Sequence, residues 1–142
     1  MKLFEVVYTV NEWYDGPREG IADFNGRPHH YQSEWQDGED MEADTFLLSP
    51  VDQKTFALAL EDWDIWLKWE SAFANGKTSH ETHPALPEDR KRHEEIKRLL
   101  EQRLKIDPET AIRKTAEFRP SENFNSDGQR VGWLEVCWRD LE

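Results

Sequence analysis

The sequence holds a single cysteine, Cys137. One thiol cannot close an internal disulfide or build a Cys-based zinc site, so neither crosslink is expected within this chain. Long apolar runs are lacking too: no stretch approaches the roughly 18 residues that a membrane span requires. No secretory signal pattern opens the chain, because Lys2 is followed by Glu5, and Asn11 and Glu12 close the short apolar stretch after it. Positive charge is scarce. Lys and Arg number 18 against 30 Asp and Glu, a net of −12 over 142 residues. Nucleic-acid binding needs a basic surface, and this balance argues against it. Cofactor and hydrolase signatures are absent as well: there is no GxGxxG, no Walker A pattern and no GxSxG elbow. The expectation is a soluble cytoplasmic protein with no membrane, nucleic-acid or cofactor partner.

What the chain has in quantity is aromatic side chains: seven Trp, seven Phe and three Tyr. Each can bury roughly 150–250 Å², which offsets the pull of high charge toward disorder. They run from Phe4 to Trp138, so both ends of the chain contribute to the core. The length suits one domain, 1–142, with residues 76–87 as a polar connector.

Residues 2–14 are rich in Val, Tyr and Phe but alternate poorly, which predicts a long first strand with a bulge. Asp15-Gly16-Pro17 is a turn signal. Asn25-Gly26 is the strongest short hairpin signal, between strands at 20–24 and 27–35. Pro28 directs the second of these toward a sheet edge. Residues 45–51 read as a fourth strand. Asp52 suits the N-cap of a helix that Asn75-Gly76 ends. The apolar arc of that helix spans about 200°, twice the stripe of an ordinary surface helix. It is packed on two sides, or packed on one and used for binding on the other. A second helix, from Pro87 or Glu88 to Lys105, carries a narrow stripe of Ile96, Leu99, Leu100 and Leu104. Period-two patterns return around Ile112–Phe118 and at 130–138, where Leu134, Val136 and Trp138 form the better core face. The fold class is therefore α+β: an antiparallel sheet of about six strands (β-β-β-β-α-α-β-β), able to curl into a partial barrel, with two helices on one face.

Residues 1–51 hold 11 acids and 3 bases, and residues 37–44 alone hold five acids. Such a field attracts a basic partner and speeds encounter; solubility alone is the plainer reading. Asp37, Glu39 and Asp40 are the acidic contact candidates. Trp63, Trp66 and Trp69 lie three apart on the first helix and form one broad aromatic strip, a candidate binding surface or core. With Trp13, Trp35, Trp133 and Trp138 they have the makings of a cleft lining. An exposed strip of this helix would equally serve a homodimer.

Two carboxylates fall inside the apolar arc, Asp62 and Glu70. A carboxylate among indole rings has its charged form disfavoured, which suits a catalytic acid. The plainer reading is an ion pair with Arg18, Arg27, Arg113 or Arg119, or a side chain that reaches to solvent. Glu135 is a third acid to weigh with them. His80 and His83 resemble a metal pair, but their spacing of three in a loop departs from the zincin pattern. Ordinary loop histidines are the better reading, and no metal is expected. Adjacent strand residues His29 and His30 face opposite sides. Cys137 has no local His, which argues against a catalytic thiol.

Two functions follow. The first is a small acidic protein that engages a basic protein partner without catalysis, as an inhibitor, immunity protein or antitoxin does. The second is a small ligand-binding domain or hydrolase-like enzyme with an aromatic-lined cleft and a perturbed carboxylate. Size and charge favour the first.

Overall fold

The structure, a computed structural model, describes residues 3–34, 45–122 and 133–141. Its residues group into two compact units: a sheet unit, Met1–Val51 with Ile106–Glu142, and a helical unit, Asp52–Lys105.

Among the described residues the sheet unit is one antiparallel sheet of seven strands that is not closed. The strands are β1 (Glu5–Val6), β2 (Glu12–Trp13), β3 (Pro17–Phe24), β4 (Arg27–Ser33), β5 (Thr45–Pro50), β6 (Ile112–Pro120) and β7 (Leu134–Arg139), in spatial order β1-β7-β6-β5-β4-β3-β2. The expected long first strand is thus two short ones. Between them Val7 bridges Ala22, and Tyr8 and Thr9 both donate to the Ile21 carbonyl. One short segment therefore touches β7 at its start and β3 along the rest, at opposite edges of the sheet.

Asn25 and Gly26, at φ 55° and 76°, make the tight β3–β4 turn that the sequence signals. The edge position expected of 27–35 is overturned: β4 lies between β3 and β5. Pro28 is tolerated because it is the second residue of the strand, where a missing N–H costs little, and its carbonyl still accepts from Val51.

The sheet's core face carries Val7, Ala22, Tyr31, Phe46, Leu48 and Val136, with Phe118 and Trp138 packed against them. As the alternation at 134–138 predicts, Leu134, Val136 and Trp138 face this core. Tyr31, Phe46, Phe118 and Trp138 form an aromatic cluster with mutual centroid distances of 5.7–6.1 Å. Tyr31 donates to the Thr9 carbonyl at 2.9 Å, and burial pushes its phenol well above the usual range.

In the helical unit, Asp52 caps α1 (Gln53–Ala74) by accepting from the Thr55 N–H at 2.7 Å. Asn75 and Gly76 end it, with Gly76 at φ 71°. The second helix, α2 (Arg90–Arg103), is preceded by one tight turn at Pro87–Asp89. Leu58 and Ile65 of α1 pack with Ile96 and Leu100 of α2 and with Ala85. No described helix is long and apolar enough to cross a membrane.

Candidate functional site

The β2–β3 turn positions the most exposed of the described aromatic residues. Asp15 and Gly16 both adopt positive φ, 53° and 120°. Arg18 locks the turn by donating from Nε to the Tyr14 carbonyl at 2.7 Å and from Nη2 to the Asp15 carbonyl at 3.0 Å. A bulge between Glu12 and Trp13 shifts the register just before it. Trp13 and Tyr14 are left 62 % and 67 % exposed.

Beside them lies an open groove of about 470 Å³, lined by Trp13, Pro17, Arg18, Phe46, Phe118 and Leu134 among others. Phe46 and Phe118 also belong to the core cluster, so this part of the lining is rigid. Pro120 and Leu134, paired at the ends of β6 and β7, complete the same wall. Trp133, 42 % exposed, precedes Leu134, and its carbonyl accepts from Ser121. Arg119, also on the groove, is engaged by Glu135 and Glu122 and lies over the Phe4 ring at 3.6 Å. The groove therefore joins an apolar lining to exposed indole and phenol faces, and hydrogen bonds or ion pairs already engage both of its arginines.

At the other end of the sheet sits a smaller pocket of about 350 Å³, lined by Leu3, Glu5, Phe24, Asn25, Trp138 and Arg139 among others. Glu5 accepts from the N–H groups of Asn25 and Gly26, which pins β1 to the hairpin turn. Tyr8 donates to Asp23 at 3.0 Å. Burial, with the hydrogen bond and charge of Asp23 acting in the same direction, pushes the Tyr8 phenol up to about 12. Burial also raises Asp23 above the usual carboxylate range, with Glu5 adding to it and the Tyr8 hydrogen bond opposing it.

The sequence candidates on α1 lie in the helical unit. Asp62 accepts a hydrogen bond from His93 Nδ1 at 2.7 Å. This partner is none of the four arginines considered from sequence. Arg113 pairs with Glu34, Arg119 with Glu135, and Arg18 with its own turn. Glu70 is half-buried on the same helix. Trp63 and Trp66 stack at 4.9 Å, both half-buried. Trp69 is 5 % exposed, stacks on Phe73 and donates to Thr82, so it belongs to packing and offers no surface. His83 meets the Trp69 ring edge-on at 4.7 Å and His80 lies 4.4 Å from the Phe73 ring, and both histidines are exposed. Among the described residues no group of His, Cys, Asp or Glu is arranged to hold a metal ion. Asp37, Glu39, Asp40 and Trp35 lie outside the described residues. Glu34 and Thr45, which flank that run in sequence, are hydrogen-bonded to each other, and Thr45 adjoins the groove residue Phe46.

Sequence reasoning names Trp13 and Trp133 as cleft material but misses Tyr14, Phe46 and Phe118. The usable signal is Trp13-Tyr14 set directly before the Asp-Gly-Pro turn, since a tight turn projects its neighbours outward. No family model, curated protein or solved structure matches this chain.

Proposed function

We propose that this chain is a small cytoplasmic binding protein that holds a basic protein partner through its sheet unit and performs no chemistry, in the manner of an inhibitor, immunity protein or antitoxin. The distribution of charge carries this reading. The sheet unit holds 19 acids and 8 bases, a net of −11, whereas the helical unit holds 11 and 10. A solubility role alone would not need such segregation. Within the sheet unit, Arg113, Lys114, Arg119 and Arg139 each pair with a carboxylate, which leaves the acidic excess to set the field. A field of this sign raises encounter rates with a cationic partner and falls with salt.

The test is capture from the source lysate at low salt, with step elution, run beside a variant carrying Asp37→Lys, Glu39→Lys and Asp40→Lys. The expected result is one basic protein in near-equal stoichiometry, released by salt and missing from the variant. Capture that ignores both salt and charge reversal would overturn the reading.

The alternative, a ligand-binding or hydrolase-like enzyme with a perturbed carboxylate, draws support from Asp23, whose raised carboxyl sits against the Tyr8 hydroxyl. Hydrolysis of a model ester that Asp23→Asn abolishes, with the fold intact, would favour it.

A further inference from the structure

Resting on the proposed basic partner, we infer that the docking point is the groove beside the β2–β3 turn, and that its occupant is a protein segment carrying an apolar side chain next to a Lys or Arg. Two properties of the groove lead there. Its lining is apolar and partly fixed: the rings of Phe46 and Phe118 are 5.7 Å apart within the core cluster, and Leu134 lies beside them. A side chain packing onto this lining gains burial without reorganising the protein. Its rim is aromatic and open, with Trp13 and Tyr14 the two most exposed of the described aromatic residues. Indole and phenol faces attract cations, Trp most strongly.

Complementarity of charge selects the occupant. An anionic ligand would need free guanidinium groups, but Arg119 is held by two glutamates and Arg18 by two carbonyls of its own turn. Asp15 also lines the groove, and Glu12 stands exposed beside Trp13. A cation arriving here meets the acidic field of a unit whose net charge is −11 by sequence. The apolar side chain supplies the anchor and the neighbouring cation the choice of partner, which is how interfaces combine a buried centre with a polar rim.

The test uses two synthetic peptides of equal charge, one alternating Lys and Leu, the other alternating Lys and Ser. Binding is read by fluorescence anisotropy at low salt, with wild type, Trp13→Ala and Tyr14→Ala. The Lys–Leu peptide is expected to bind about tenfold tighter than Lys–Ser, since burying one Leu side chain is worth at least about a factor of ten. That advantage should vanish in Trp13→Ala, whose indole also lines the groove, and shrink in Tyr14→Ala, while Lys–Ser binding weakens in both variants because the rim faces the cation that both peptides carry. Equal affinities for the two peptides, or an advantage that survives both variants, would overturn the groove as the docking point and leave the basic-partner reading standing. No binding of either peptide, or tighter binding of a Glu–Leu control, would overturn both.

Discussion

Gly20→Ala should destabilise the sheet unit and displace the Trp13 side of the groove at the same time. Alanine in place of glycine inside a strand is ordinarily favourable by about 0.5–1 kcal/mol. Here the sign reverses. An added Cβ would stand 2.2 Å from the Thr9 carbonyl oxygen and 2.7 Å from the Tyr31 hydroxyl oxygen, which themselves form a hydrogen bond of 2.9 Å. The Thr9 contact is backbone and cannot rotate away. Relief requires the segment at 7–11 to lift from β3, where Tyr8, Thr9 and Asn11 donate to Ile21 and Glu19. Overpacking of this kind costs about 1–3 kcal/mol, and loss of the buried Tyr31 bond adds about 1 kcal/mol. After the propensity gain, about 1–3.5 kcal/mol of stability should be lost. Urea denaturation with linear extrapolation reads the difference. Gly20→Ala should also weaken Lys–Leu peptide binding, since the lifted segment leads to Trp13. A loss below about 0.5 kcal/mol, or a gain, would refute the reasoning from this contact.

Three further outcomes are expected. Asp23 holds its proton more tightly in the folded protein than in the unfolded chain, so its contribution to stability is present below about pH 3.9 and is lost as pH rises through the raised folded value. Asp23→Asn should remove that pH-dependent loss in thermal melts, and an unchanged profile would contradict it. Asp62→Ala leaves His93 without its carboxylate partner and should cost the helical unit about 1–2 kcal/mol in chemical denaturation, with peptide binding at the groove unchanged. Glu70→Gln should leave both fold and partner capture intact; a stable variant that no longer captures would show that Glu70 takes part in binding.

The elements most legible in the sequence are those with local causes. Asn25-Gly26, the Asp52 cap and the Asn75-Gly76 stop each act through their own backbone geometry, and each stands where the sequence places it. The position of β4 inside the sheet is not local, and Pro28 misleads because one proline near a strand's start is compatible with the interior. The split of the first strand follows from its pairing with both β7 and β3, which alternation within 2–14 cannot encode. On the site, helical periodicity singles out Trp63, Trp66 and Trp69, yet periodicity does not distinguish an exposed strip from rings that stack on one another or on Phe73. The groove escapes because its lining comes from β2, β3, β5, β6 and β7, with Trp13 and Leu134 far apart along the chain.

The most direct measurement of the central claim is the association rate of the captured partner as a function of ionic strength, by stopped flow, for wild type and for the Asp37→Lys, Glu39→Lys, Asp40→Lys variant. Steering by the acidic sheet unit predicts a rate that falls steeply with salt in the wild type, a slower and flatter rate in the variant, and dissociation that changes little. Equal rates for the two proteins across the salt series would contradict it.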